Sequence, residues 1–207
     1  MLQTMLINAT ILGLFAILGT SLVSSIHEST APLIAENEYQ TILNNLTQII
    51  PPERYDNAIV EDKIEVVDPL LGNQAPKQIY RARYSGRAVA VVIESVAPDG
   101  YSGDIGLLIG IDIEGNLLGV RVIYHKETPG LGDKIEATRS DWILGFNQLN
   151  LTNPPQALWQ VKKEGGVFDQ FTGATITPRA VVNAIKNSLL FYQQQRQALF
   201  RPITSSE

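Results

Sequence analysis

The chain has 207 residues, a formal net charge of −5 and no cysteine. The acidic balance and the lack of any Lys or Arg run argue against a nucleic-acid partner. Without cysteine there are no disulfides, no Cys-ligated zinc and no Cys-held iron–sulfur clusters. With His27 and His125 as the only histidines, a His-rich metal site is also disfavoured, so any redox chemistry calls for an organic cofactor.

Residues 1–27 contain no Asp, Glu, Lys or Arg. Within them 5–26 is long and apolar enough to cross a bilayer, which takes about 20 residues. Residues 1–4 would form a short tail ahead of it. A cleaved signal peptide is the rival reading, but it calls for a basic n-region, and Met-Leu-Gln-Thr-Met has no basic residue. The chain is therefore expected to keep its anchor. Orientation is weakly encoded, since no Lys or Arg precedes Arg54. Gly13 and Gly19 offer small spots for a neighbouring helix, or simply face lipid.

Residues 27–52 read as a connecting helix. Tyr39, Ile42, Leu43, Leu46, Ile49 and Ile50 recur at helical spacing, and Pro51-Pro52 ends the pattern. No low-complexity linker separates it from a domain expected over 53–207. There, Lys63 to Val67 reads as a strand. Ile79 to Tyr84 and Ala88 to Ala97 flank the hairpin signal Ser85-Gly86. Ile105 to Ile113 and Leu117 to Tyr124 flank Glu114-Gly115-Asn116. The run Ala88 to Ile93 is apolar throughout, which predicts a central strand covered on both faces. Thr138 to Leu149 reads as a helix capped by Ser140 or Thr138, and Leu158 to Lys163 as a last strand. Hairpins with helices around them predict an α+β domain built on an antiparallel sheet flanked by helices.

Gly165-Gly166 then turns the chain into Asp169-Gln170-Phe171-Thr172-Gly173-Ala174-Thr175-Ile176-Thr177-Pro178. Pro178 suits a first helical position and Thr177 an N-cap. Val181, Ile185, Leu189 and Tyr192 continue as an amphipathic stripe. Thr175 would then stand two residues before a helix N-terminus, whose partial positive charge and free N–H groups suit a phosphate. Gly173 and Ala174 are small enough to let a bulky group approach the backbone.

The pattern Asp169-x-x-Thr172-Gly173-Ala174-Thr175-x-Thr177 resembles the flavinylation motif of the RnfG/NqrC family, membrane-anchored subunits of ion-pumping electron-transport complexes. On its own, Thr-Gly-Ala-Thr reads as a common turn before a capped helix. Three further stretches extend the resemblance over most of the domain: 98–103, 125–134 and 162–169. The resemblance implies FMN joined through its phosphate to the Thr175 hydroxyl by a separate flavin transferase. It also implies a single-pass protein of the bacterial inner membrane with its main domain on the periplasmic side and the tail 1–4 on the cytoplasmic side. The partners would be the other subunits of an Rnf-type complex, which passes electrons between NADH and ferredoxin, or another acceptor, coupled to Na⁺ or H⁺ movement. The form of 125–134 favours the RnfG branch over the C subunit of a Na⁺-translocating NADH:quinone oxidoreductase. No Gly-x-Gly-x-x-Gly fingerprint follows a strand, so NADH oxidation by this chain alone is not expected.

On that resemblance Thr172, Thr177 and backbone amides would donate hydrogen bonds to the phosphate. Leu131, in the loop of Thr128, Gly130 and Gly132, would pack on the flavin ring. Tyr101, beside Ser102, and Trp142 are aromatic candidates for ring contact, Trp142 reading also as core. Asp169 would brace the loop or mark it for the transferase. Lys126 and Glu127 read as solvated rim charges. Two other readings stay open: a scaffold module whose Thr175 is never modified, and a hydrolase using His125 with Ser102 or Thr175. No nucleophile-elbow glycines surround Ser102.

Overall fold

The computed structural model describes residues 1–200. The last seven residues of the expected 53–207 domain lie outside the described residues. The chain forms two units, Met1–Ile42 and Leu43 onward.

In lipid every backbone polar group needs an internal partner, and a helix supplies one for each. The first unit is accordingly helical: α1 runs Leu2–Thr47 without a break, 46 residues. At 1.5 Å per residue that is roughly 69 Å, more than twice a hydrocarbon core of about 30 Å. The expected anchor and connecting helix are thus one continuous element, with Pro32 inside it. Hydroxyls in the apolar stretch are satisfied by the helix itself. Thr10 donates to the Leu6 carbonyl at 2.9 Å and Thr20 to the Ala16 carbonyl at 2.7 Å.

The second unit is built on a five-stranded antiparallel sheet in sequence order. Its strands are β1 (Lys63–Val66), β2 (Lys77–Tyr84), β3 (Arg87–Ala97), β4 (Ile105–Asp112) and β5 (Leu117–Tyr124). Ser85 and Gly86 both take positive φ, 50° and 75°, as a two-residue turn matched to strand twist requires. β3 is the middle strand, and Val91, Val92 and Ile93 are fully buried, so both faces are covered. On one face lies α2 (Ile176–Leu199), whose Val181, Ile185, Leu189 and Tyr192 join the main core, the stripe read from the sequence. On the other, Ile49 sits directly over Gly110 of β4, where a β-carbon would collide with it.

Two expected elements are corrected. Thr138 to Leu149 is not an α-helix; a short 3-10 helix spans Asp141–Phe146. Ser140 caps it, its Oγ accepting from the Trp142 N–H at 3.1 Å, while Thr138 donates to Glu136 instead. Beyond Phe146 the backbone is captured by the start of β5. Gln148 N–H donates to the Leu117 carbonyl at 2.7 Å, and Leu117 N–H to the Leu149 carbonyl at 2.8 Å. A helical ladder cannot continue through residues bonded sideways to a strand.

Leu158 to Lys163 is not a strand either. It forms the 3-10 turns Gln156–Leu158 and Lys162–Glu164, followed by a reversal at Gly165. The chain folds back on itself here, with Lys162 N–H bonded to the Phe168 carbonyl at 2.8 Å and Phe168 N–H to the Gln160 carbonyl at 3.2 Å. Its backbone groups are used locally, so the main sheet gains no further strand.

Candidate functional site

α2 begins two residues earlier than its proline suggests. Ile176 is the first helical residue and Thr175 occupies the cap position, with φ −79° and ψ −30°. Pro178 still lies in the first turn, where a missing N–H costs nothing. Thr177 is therefore not the cap. It is fully buried, and its hydroxyl donates to the Glu127 carboxylate in a short contact. The Thr175 side chain makes no capping hydrogen bond, and no acidic residue stands in the first turn.

Against this helix end lies a cleft of about 190 Å³ whose walls come from separate loops. Gly173, Ala174, Thr175, Ile176 and Thr177 form the helix side, Thr128, Leu131 and Gly132 the opposite wall, and Tyr101 the rim, with Glu127 at the back. Leu131 and Tyr101 leave much of their apolar surface to solvent, at 43% and 68% exposed. Gly173 takes φ +82°, a conformation that suits glycine and turns the motif toward the cleft.

The remaining sequence candidates lie outside the lining of the cleft. Gly130, with φ +79°, shapes the turn in which Leu131 and Gly132 N–H groups donate to the Thr128 carbonyl at 3.1 and 3.0 Å. Ser102 contributes its N–H, which donates to Glu127 at 2.8 Å. Trp142 stands edge-on to Phe171 at 5.1 Å, and its indole N–H donates to the Asp169 carbonyl at 2.8 Å. The Asp169 carboxylate is exposed and pairs with Lys162 at 2.6 Å. Thr172 is exposed on the motif turn.

Glu127 is the residue that sequence reasoning places wrongly. Expected as a solvated rim charge, it is only 4% exposed. Its carboxylate ties the 101–103 loop, through Ser102 N–H, to the start of α2, through Thr177. Gly132 makes room for that tie. A β-carbon there would stand 2.9 Å from Glu127 Cβ and 3.1 Å from Thr177 Oγ1. Local pattern carries no signal of this pairing, because the partners are 50 residues apart. Thr177→Val removes a donor from a buried carboxylate, so it is expected to cost about 1.5–3 kcal/mol, read as a lowered Tm. An unchanged Tm would show that the contact contributes nothing.

His125 is committed elsewhere, which overturns the hydrolase reading. Its Nδ1 accepts the Glu127 N–H at 3.0 Å. The tautomer assigned from that bond puts the proton on Nε2, 2.7 Å from Glu136 Oε1. Neither nitrogen serves Ser102 or Thr175. The His125 hydrogen bond holds the Glu136 carboxyl below its ordinary range, with smaller help from Thr138 and Arg139 against a desolvation penalty. A carboxyl depressed in the folded state stabilises above its unfolded pKa, about 4.3, and that contribution fades as pH falls through the folded value. Glu136→Gln should therefore reduce stability near neutral pH, with the gap from wild type closing in acid. The effect is small, because the Glu136 side chain is 37% exposed. Tm followed from pH 7 to about pH 3 measures it, and a gap that widens in acid would contradict the pairing.

Comparison with known proteins bears on this geometry directly. Residues 100–190, which carry every residue of the cleft, match the FMN-binding domain, and residues 1–49 match the RnfG N-terminal region. The chain is 47% identical over 201 residues to the G subunit of the ion-translocating oxidoreductase complex of Pseudomonas aeruginosa (strain UCBPP-PA14), covering 97% of this chain and 94% of that one. It is 50% identical over 194 residues to the corresponding G subunit of Pseudoalteromonas atlantica, covering 93% and 90%. With the G subunit of Yersinia pestis the identity is 49% over 193 residues, covering 93% and 92%. An apolar N-terminal helix, an antiparallel domain with its cleft at a helix N-terminus, and near full-length similarity agree: the chain belongs to the family of G subunits of ion-translocating oxidoreductase complexes.

Proposed function

We propose that this protein is the membrane-anchored electron relay of an Rnf-type complex, with FMN esterified through its phosphate to the Thr175 oxygen. The observation that carries this reading is the position of Thr175, in the cleft at the start of α2 with its hydroxyl free of any capping bond. FMN, when bound, supplies a ring that takes up and releases electrons reversibly. Everything else falls to the chain.

The residues present fit such a group. In the ester the phosphate keeps about one negative charge, which the roughly half-unit positive end of α2 offsets. The cleft is smaller than the ~300–1,000 Å³ of pockets that enclose a whole ligand. It suits the phosphate end and leaves the ring lying outward against Leu131 and Tyr101. An outward ring is open to exchange with a cofactor in a neighbouring subunit. Glu127, Gly132 and Thr177 hold the wall rigid behind it, and the aromatic residues under the motif fix the turn that presents Thr175.

The covalent bond answers a problem of retention. Free FMN is scarce outside the cytoplasm, and a flavin held only by equilibrium would be lost from a periplasmic domain. A separate transferase, acting on the motif, would form the ester. It would move the FMN phosphoryl group from an activated flavin nucleotide to the Thr175 oxygen, the rest of that nucleotide leaving as the hydroxyl gives up its proton. In the assembled complex, electron transfer between NADH and ferredoxin or another acceptor would be coupled to Na⁺ or H⁺ movement. The intact mass of the full chain, purified from its own membranes, tests the reading. The expected result is one added FMN, absent in cells lacking the transferase. Unmodified protein in a working complex would leave only a scaffold role.

A further inference from the structure

Among the described residues the cleft has one charged side chain in its lining, and it is an acid. Glu127 accepts from Ser102 N–H with one oxygen and from the Thr177 hydroxyl with the other, the acceptor-only role of an ionised carboxylate. No Lys or Arg lines the same space. Arg179, in the first turn of α2, pairs with Glu164 at 2.5 Å, and Lys162 pairs with Asp169 at 2.6 Å. Proteins that hold phosphates reversibly rely heavily on Arg and Lys. This cleft offers a helix N-terminus and neutral hydroxyls, with a buried carboxylate behind them.

That arrangement discriminates by ligand charge. A phosphate monoester carries about −1.5 to −2 at neutral pH. The same phosphate joined to a second oxygen carries one charge. Repulsion from a carboxylate scales with ligand charge and is poorly screened in a part-buried cleft. We infer that Glu127 is a specificity-determining residue that makes the cleft reject free FMN and accept the flavin only once its phosphate is esterified to Thr175. The inference rests on the flavin site proposed above. Its consequence is that unligated protein keeps the cleft clear, so the Thr175 hydroxyl stays accessible until it is modified.

The test uses the full chain in detergent with Thr175→Ala, which removes the ester, and measures Kd for FMN and for riboflavin by fluorescence quenching. Riboflavin has the same ring and side chain but no phosphate. In this background riboflavin should bind more tightly than FMN. Adding Glu127→Gln should tighten FMN about tenfold and leave riboflavin within about twofold, tenfold being 1.4 kcal/mol. The amide can keep both bonds, accepting from Ser102 N–H and donating to Thr177, whose hydroxyl reverses. Should that variant fold poorly, Thr128→Lys, adding a cation at the opposite wall, should shift the preference toward FMN in the same direction.

FMN binding more tightly than riboflavin before either change, or an unmoved ratio after both, overturns the inference. Absence of any binding of both flavins to all variants also overturns it, since a charge veto needs a seat that otherwise holds the ring. FMN mass on wild-type Thr175 would in that case leave the covalent reading standing.

Discussion

Thr175→Ala is expected to abolish covalent flavin completely while leaving the fold intact. The two other threonines of the motif cannot take over. Thr177 is fully buried and its oxygen is engaged with Glu127. Thr172 is exposed and lies outside the lining of the cleft. The change should cost less than about 0.5 kcal/mol, because the Thr175 side chain makes no capping bond. Thr175→Ser keeps the oxygen and should retain loading, at a lower level if the β-methyl helps fix the hydroxyl. Flavin fluorescence on a denaturing gel, intact mass and Tm read both variants against wild type. Flavin that survives denaturation of Thr175→Ala would place the linkage elsewhere and remove the role assigned to this helix end.

How far the sequence predicts this site depends on how local each signal is. The hairpin at Ser85-Gly86, the strands β2 to β5 and the Val181-Ile185-Leu189-Tyr192 stripe are set by neighbours a few residues apart, and all reappear in the structure. The positive φ of Gly173 and a helix starting close after Thr175 are legible for the same reason. Between residues 138 and 171 the rule fails. There the core is made by Trp142, Phe146, Trp159, Phe168 and Phe171, brought together on 3-10 turns and a local bridge with no regular period. A periodic reading forces such a stretch into a helix and a strand. Glu127 and Thr177 depart from their sequence reading for a related cause. Each has a common local role, as rim charge or cap, that a distant partner overrides.

That irregular aromatic cluster leads to the second large effect, Trp159→Ala. Trp159 is 0% exposed, and its indole N–H reaches the Asn150 and Pro154 carbonyls at 3.2 and 3.1 Å. It packs on Phe168 at 5.0 Å, which stacks on Phe146 at 4.6 Å. Phe146 meets Trp142 at 5.1 Å, and Trp142 meets Phe171, the residue before Thr172, at 5.1 Å. Truncation removes a large buried ring and a donor shared by two carbonyls. A loss of about 3–5 kcal/mol is expected for such a change, a large share of the ~5–15 kcal/mol that holds an ordinary domain together. At about 2–4 °C per kcal/mol, Tm should fall by roughly 10 °C. Flavin loading should fall with it, because the motif turn loses the floor on which Phe171 rests, although Trp159 lies outside the cleft lining. Trp159→Phe, which fills most of the space but donates no hydrogen bond, should fall between. The contrast with Thr175→Ala is the informative part: one variant loses flavin at constant Tm, the other loses both. A Trp159→Ala protein with full loading and a Tm within about 2 °C of wild type, less than one kcal/mol by the same scaling, would mean that the aromatic cluster does not support the motif.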